Sequence, residues 1–212
     1  MSVIDTSNGI YEYTEVKFTL GTRRLNREIS KVNLLDLKKI LDQFNINFGL
    51  IFGTLLGAIR ENNFIAHDED TDIFVLKENE KDILDLLFLL RDSGFEVGRY
   101  DNNLMSIIRN GEYIDIYFFE KKGTNARKCQ GYVINDSFLS NVIEYEFLGE
   151  MFKIPQNPEE LLVKMYGSDW MVPKENTSAA NYGFYLTIRN YISKNSPILY
   201  RYIGWIKRKV NL

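Results

Sequence analysis

The sequence predicts a single α/β domain, because short apolar runs that suit strands alternate with longer segments of helical periodicity. Apolar residues recur at three- and four-residue steps over 27–44, which is the spacing of one buried helix face. The runs 48–52 and 72–76 are short, apolar and bounded by polar residues or glycine, which is typical of buried strands. A chain that mixes both kinds of element in this way favours a sheet with helices packed on it.

The composition is that of an ordinary folded protein. The chain has 212 residues, of which 45% are hydrophobic and 26% are charged, and these values exclude disordered and collagen-like proteins. The net charge of −3 and the pI near 5.4 provide no basic surface for a nucleic-acid backbone. We therefore expect no nucleic-acid partner.

Cysteine content and hydropathy indicate the compartment. Cys129 is the single cysteine, so no disulfide can form within the chain and a reducing environment suits it. The first 13 residues carry no signal-peptide pattern, and no uncharged apolar run approaches the roughly 20 residues that a membrane-spanning helix needs. We expect a cytoplasmic protein.

The chain divides into three parts. We predict an irregular N-terminal arm over 1–26, a main domain over 27–175, and a helical, basic extension over 176–212 packed on that domain. The segment 200–209 mixes aromatic and basic side chains, which suits either peripheral contact with an anionic membrane surface or a packed terminal helix.

Within the main domain the pattern predicts further elements. Asn110-Gly111 is a strong hairpin-turn signal between two of the strands. The predicted elements after the second strand are, in chain order, a helix over 80–90, strands over 95–100, 104–109 and 113–119, a loop over 121–131, a β segment over 142–152 and a helix over 159–166.

The densest chemical feature is an acidic run directly before the strand 72–76. Asp68, Glu69, Asp70 and Asp72 place four carboxylates within five positions. Like charges this close disfavour folding unless a cation or hydrogen-bond donors neutralise them. In an extended segment Asp70 and Asp72 point to the same side and could share one ion, for which oxygen ligands favour Mg²⁺ or Mn²⁺. The alternative is a solvated acidic turn.

Two further sequence features suit the same site. Asp115 stands among apolar residues on a predicted interior strand, where a carboxylate needs a partner. It could complete a metal site or accept a proton. Gly53-Thr54 lies at a strand-to-helix turn, whose backbone N–H groups suit a phosphate. Arg60, two turns along that helix, could clamp phosphate oxygens or simply face solvent.

Gly-Thr opening a helix, Asp-x-Asp on a strand and a later lone Asp resemble the pattern of the nucleotidyltransferase superfamily. The segment from Phe52 to Arg60 and the segment from Phe64 to Ile73 resemble the LicD family of phosphotransferases, which is related to fukutin and fukutin-related protein. The later segments 154–162 and 166–173 look like the family's C-terminal signature. The resemblance covers roughly 44–173.

The resemblance implies a nucleotidyltransferase-like α/β (α+β) fold with a mixed sheet, flanking helices and a helical C-terminal part. It implies that 27–175 is a catalytic domain that transfers a phosphoryl-alcohol group, such as phosphocholine or a phospho-polyol, from a CDP-linked donor to a sugar hydroxyl of a cell-surface glycan. A lipid-linked glycan acceptor would place the protein at the inner face of the membrane.

The resemblance also implies roles for particular residues. Those implied roles are Mg²⁺ binding for Asp70 and Asp72, a catalytic base or metal ligand in Asp115, and substrate contacts by Gly53, Thr54, Arg60, His67 and Asp68.

The sequence departs from the family pattern in two places. Asp68-Glu69-Asp70-Thr71 stands where the family has three aspartates, and Ala66-His67 stands where Pro-Trp is common. His67, the only histidine, could contact substrate, act as a base or lie on the surface. Two alternatives to the phosphotransferase remain: a nucleotidyltransferase that passes an NMP group from an NTP to a small acceptor, and a noncatalytic relative that only binds nucleotide or glycan.

Overall fold

The computed structural model describes residues 1–18, 23–101 and 103–173. The chain separates into two compact units, Met1–Pro173 and Lys174–Leu212. The predicted C-terminal extension over 176–212, including the basic segment 200–209, lies outside the described residues. No helix within the described part of the chain is long and apolar enough to cross a membrane.

Eleven strands and six α-helices make up the described chain. The strands are β1 Ser2–Thr6, β2 Gly9–Tyr13, β3 Phe48–Leu50, β4 Thr71–Leu76, β5 Glu96–Asp101, β6 Leu104–Arg109, β7 Glu112–Lys122, β8 Ala126–Cys129, β9 Tyr132–Asn135, β10 Val142–Phe147 and β11 Glu150–Pro155. The helices are α1 Arg27–Gln43, α2 Phe52–Glu61, α3 Glu80–Asp85, α4 Leu87–Asp92, α5 Ser137–Ser140 and α6 Pro158–Tyr166, with a 3₁₀ turn at Lys77–Asn79.

The central sheet has the strand order β3-β4-β7-β6-β5. Only β4 and β7 are parallel along this path, and the other neighbours are antiparallel. The far end of β7 continues into a smaller antiparallel extension with β8 and β9. This mixed sheet with flanking helices confirms the predicted α/β fold.

Two helices show why the sequence folds this way beside the sheet. Helix α1 buries Leu34, Leu37 and Leu41 on one face, and Asn26 caps its start by accepting the Ile29 N–H at 3.2 Å. Helix α2 is buried along most of its length and packs on β4 and α6. Ile51, the single residue between β3 and α2, is therefore fixed in a tight turn at the sheet edge.

The N-terminal segment differs from its prediction as an irregular arm. Residues 2–13 form an antiparallel hairpin, β1 with β2. Its inner face buries Ile4, Tyr11 and Tyr13, whereas Val3 and Ile10 are exposed. The alternation of buried and exposed residues was not recognised beside the polar turn residues, because each strand presents only one or two apolar residues to the domain.

Two other predictions needed correction. The loop predicted over 121–131 is ordered as the end of β7 and the strand β8. The helix predicted over 80–90 is broken into α3 and α4, because the chain bends at Leu86. The Asn110-Gly111 turn is confirmed, with positive φ at both residues, +53° and +80°.

We predict that Gly49→Ala destabilises the fold, because β11 crosses closely over β3. A Cβ at Gly49 would lie 2.6 Å from the backbone oxygen of Lys153 and 2.5 Å from the Phe74 ring. Forcing a methyl group into such packing costs about 1–3 kcal/mol, which urea denaturation would measure. Val32→Ala at an exposed position of α1 is the control, and we expect it to change stability by less than about 0.5 kcal/mol. An equal effect of the two substitutions would contradict this packing.

Candidate active site

The acidic run converges where β4 begins. One carboxylate oxygen from each of Asp68, Asp70 and Asp72 lies within 4.8 Å of the others. Asp72 is buried at 4% exposure, and the other two are partly buried. The structure thus brings together the predicted pair Asp70 and Asp72, and adds Asp68 to it.

Hydrogen bonds to the first turn of α2 fix Asp72. The Gly53 N–H donates to Oδ2 of Asp72 at 2.9 Å, and the Asp72 N–H donates to Oγ1 of Thr54 at 2.8 Å. The Asp72 carboxylate thereby takes the place of an N-cap side chain, which Ile51 at that position cannot supply. The sequence assigned Gly53 and Thr54 to a phosphate, whereas in the structure both bind Asp72.

The close approach of α2 and Asp68 requires glycine at position 53. A Cβ there would lie 2.3 Å from Oδ2 of Asp68. Phe52, just before it, adopts a positive φ of +46°, which is uncommon for a residue with a side chain and makes the sharp turn from β3 into α2. Strain of this kind at a non-glycine residue is typical of functional sites.

Asp115 lies on β7 directly opposite Asp72 in the parallel register. Its carboxylate accepts hydrogen bonds from Ser106 Oγ, from Arg99 Nη2 at 2.9 Å, and from the Tyr117 hydroxyl at 3.5 Å. The sequence predicted Asp115 on an interior strand, and the structure places it on β7, which pairs with β4 on one side and β6 on the other. Its donors, Arg99 and Ser106, were not identified from the sequence.

The buried carboxylates have raised pKa values. Burial, which penalises the charged form, raises the pKa of Asp68 to about 7, with the charge of Glu69 adding to it. Burial and the neighbouring carboxylates raise the pKa values of Asp70 and Asp72 well above their usual range. Burial also raises the pKa of Asp115, and Arg99 opposes that rise.

The acidic cluster fits a hard divalent cation. Oδ2 of Asp68 is buried and accepts no hydrogen bond within the described residues, so it retains a ligand position. All three groups offer oxygen, which Mg²⁺ and Mn²⁺ prefer. A bound cation would also relieve the repulsion that raises the three pKa values.

Several aromatic side chains lie near the carboxylates, and the Tyr117 hydroxyl donates to Asp115 at 3.5 Å. The Phe52 ring packs against Tyr117 and Tyr132, each with 4.7 Å between ring centroids. Burial and the charge of Asp72 raise the pKa of Tyr166, at the end of α6, although 40% of that residue is exposed. Tyr117 and Tyr132 are distant from Phe52 in sequence, so only the fold shows that their rings pack together.

Two residues that were predicted to contact substrate, Arg60 and His67, lie outside the acidic cluster. Arg60 donates to Glu61 at 2.7 Å and to the backbone oxygen of Trp170 at 3.3 Å, so its guanidinium is already occupied. His67 is exposed in the turn before the acidic cluster.

Comparison with solved structures identifies the class of the fold. The chain is similar to ANT(2")-Ia in complex with adenylyl-2"-tobramycin, with a TM-score of 0.52 and 12% identity over 87% of this chain and 99% of that chain. A solution structure of ANT(2'')-Ia gives a TM-score of 0.50 and 11% identity over 80% and 100% of the two chains. The fold is therefore nucleotidyltransferase-like.

Sequence comparison identifies the family. Residues 45–157, just over half of the chain, match the family described as LicD/FKTN/FKRP, nucleotidyltransferase domain. This range contains the acidic cluster, the Gly53-Thr54 turn and Asp115. The chain belongs to this family, as the resemblance implied.

Three curated relatives are similar over part of their length. The lipopolysaccharide cholinephosphotransferase LicD of Haemophilus influenzae is 24% identical over 151 residues, which are 69% of this chain and 55% of that protein. An uncharacterized Caenorhabditis elegans protein is 27% identical over 74% of this chain and 45% of its own length. A Rickettsia typhi protein is 31% identical over 41% of this chain and 27% of its own. The chain thus spans about half, or less, of these relatives.

We predict that stability falls as pH rises when no divalent cation is present. Folded Asp68 has its pKa raised to about 7 from an ordinary 3.8, so the folded state holds this proton more tightly than the unfolded state does. Its favourable contribution is complete below about pH 4 and is lost as pH rises through about 7. The raised pKa values of Asp70 and Asp72 act in the same direction. Urea denaturation between pH 4.5 and 8 should show the decline.

Matched substitutions and a cation test this assignment. Asp68→Asn should make the decline shallower, whereas Asp82→Asn at an exposed position of α3 should leave the slope of the wild type. Saturating Mg²⁺ should flatten the wild-type curve, because ligand binding stabilises the folded state. A stability that rises over this range without cation would contradict the raised pKa values.

We predict that Gly53→Ala weakens cation binding while the protein still folds. The added methyl group displaces the Asp68 carboxylate, which a Cβ would approach to 2.3 Å. Disturbing a group that orders a metal site typically costs 10–100-fold in affinity, so we expect Mn²⁺ to bind about tenfold more weakly in an EPR titration. Unchanged Mn²⁺ affinity in a folded variant would show that Asp68 is not part of the site.

Proposed function

We propose that this chain transfers a phosphoryl-alcohol group, a phosphocholine or a phospho-polyol, from a CDP-linked donor to a sugar hydroxyl of a cell-surface glycan. The observation that carries the proposal is the convergence of Asp68, Asp70 and Asp72 at the start of β4 in a LicD-family domain. The similarity to a relative named lipopolysaccharide cholinephosphotransferase supports this choice of group and acceptor.

In this proposal Asp70 and Asp72 hold Mg²⁺ or Mn²⁺, and Asp68 supplies a further oxygen. The ion would neutralise charge on the diphosphate of the donor and on the transferred phosphoryl group. Gly53 and Thr54 serve the site indirectly, because their hydrogen bonds set the position of Asp72. His67, exposed beside the cluster, is assigned a contact with substrate.

Asp115 is assigned to receive the proton of the attacking sugar hydroxyl. It lies on the strand beside Asp72, and burial raises its pKa, which favours a carboxylate as a proton acceptor. The Arg99 guanidinium opposes that rise in the pKa of Asp115. The sequence allowed Asp115 to be a metal ligand as well, but its two oxygens already accept hydrogen bonds from Arg99 and Ser106.

The aromatic residues suit the organic parts of such a donor. Phe52, Tyr117 and Tyr132 form a contiguous set of rings, and the Tyr117 hydroxyl contacts Asp115 at 3.5 Å. Ring faces bind flat bases by stacking and bind quaternary ammonium groups by cation–π attraction. Arg60 is left out of the proposed site, because Glu61 and the Trp170 backbone already occupy its guanidinium.

The first assay of the proposal is product release by purified protein. With Mg²⁺, a glycan acceptor and a panel of CDP-alcohols that includes CDP-choline and CDP-ribitol, we expect CMP to form from one donor. Asp70→Asn and Asp72→Asn should each lower the rate by at least about a hundredfold, since each removes a charged ligand of the ion. Mass spectrometry of CMP and of the modified glycan would measure both.

The same assay separates the alternatives. Pyrophosphate released from an NTP, with no CMP from any CDP-alcohol, would indicate nucleotidyl transfer instead. CMP formed equally by the two aspartate variants would show that the acidic cluster does not carry the reaction.

A further inference from the structure

Four polar residues form a row across the sheet. In register, Arg99 of β5 stands opposite Ser106 of β6, Ser106 opposite Asp115 of β7, and Asp115 opposite Asp72 of β4. Residues paired in this way point to the same face of a sheet. The row therefore runs along one face from the acidic cluster to Arg99.

Arg99 is held in one orientation by its neighbours. Its Nε and Nη2 donate to Ser106 Oγ at 3.0 and 2.8 Å, and Nη2 also donates to both oxygens of Asp115, at 3.2 and 2.9 Å. The guanidinium carbon lies 4.7 Å from the centre of the Phe18 ring, which supports the planar group from one side. A guanidinium that is fixed by a carboxylate, a hydroxyl and a ring has already lost most of its conformational freedom. Binding a ligand therefore costs little further conformational entropy.

One edge of this guanidinium remains available. Nη1 of Arg99 donates no hydrogen bond to any residue within 1–18, 23–101 and 103–173, and the side chain is 34% exposed. Ser106 and Asp115 stand between Arg99 and Asp72 in the row, but the Arg99 side chain reaches across both strands, since its Nη2 donates to Asp115, the neighbour of Asp72. Neighbouring strands lie about 4.8 Å apart, so the Arg99 guanidinium, in contact with Asp115, lies about one strand spacing from Asp72 of the acidic cluster.

We propose that Arg99 binds a phosphate oxygen of the nucleotide donor through Nη1, with Asp115 and Ser106 as the residues that position it. The inference rests on the proposed function and adds a residue to it. A diphosphate brings negative charge to a site that already contains three aspartates, and one divalent ion leaves an excess of negative charge. The Arg99 guanidinium supplies a fixed positive charge with the planar donor geometry that matches phosphate.

The experiment measures binding of CDP in the presence of Mg²⁺ by calorimetry. Arg99→Gln keeps an N–H donor for Asp115 but removes the charge, and Arg99→Lys keeps the charge but removes the planar fork. A lost hydrogen bond to a charged group corresponds to about tenfold or more in affinity, so we expect Arg99→Gln to weaken CDP by at least that factor. Arg99→Lys should recover part of the loss.

Two references separate phosphate binding from a purely structural role. Cytidine, which has no phosphate, should bind equally to the wild type and to Arg99→Gln, and so should Mn²⁺ alone. Arg91→Gln is the matched control, because Arg91 also pairs with a carboxylate, Glu96, and lies 3.8 Å over the Tyr11 ring, but does so on α4. This variant should bind CDP as the wild type does.

Each outcome decides one of the claims. A folded Arg99→Gln variant with wild-type CDP affinity overturns the inference. So does an equal loss of CDP, cytidine and Mn²⁺ affinity, because Arg99 would then act only through the structure of the site. A wild-type protein that binds CDP but releases no CMP from any CDP-alcohol contradicts the proposed function. The CDP affinities of the wild type and the Arg99 variants can still be compared in that case. A wild-type protein that binds no CDP contradicts both.

Discussion

The candidate site depends on the pair of hydrogen bonds between Asp72 and the first turn of α2. These bonds join β4 to α2, the helix that follows β3. They therefore fix the Asp72 carboxylate relative to the backbone of β4 and of α2. The Gly53 N–H and the positive end of the helix dipole offset part of the cost of burying Asp72. Gly53 also leaves the space that Asp68 occupies, so one turn positions two of the three clustered aspartates.

Charge balance explains the rest of the arrangement. Within the described residues, the carboxylates of Asp68, Asp70 and Asp72 converge without a cationic side chain among their hydrogen-bond partners, whereas Asp115 is paired with Arg99. Burial and mutual repulsion raise the pKa values of the clustered groups. A site of this kind attracts a divalent cation and is less stable without it at neutral pH. The ion pair with Arg99 distinguishes the environment of Asp115 from that of the other three carboxylates.

The sequence was sufficient for the local features and insufficient for those that depend on register. Periodicity predicted α1 and most strands, and the acidic run with Asp115 predicted the centre of the site, because these signals lie in short segments. Arg99, Ser106 and Tyr117 could not be found in this way, since their neighbours in sequence are ordinary strand residues and their shared location follows from pairing across β5, β6 and β7. The use of Gly53 by Asp72 was missed because a helix start predicts an anion but not which anion.

The most direct measurement for the central claim is a crystal structure with Mn²⁺ and CDP, in which anomalous scattering locates the ion. The account predicts a Mn²⁺ peak about 2.1 Å from a carboxylate oxygen of Asp70 and of Asp72, with the diphosphate on the side of the row where Arg99 lies. A Mn²⁺ ion bound elsewhere, or a nucleotide bound with no ion between Asp70 and Asp72, would contradict it.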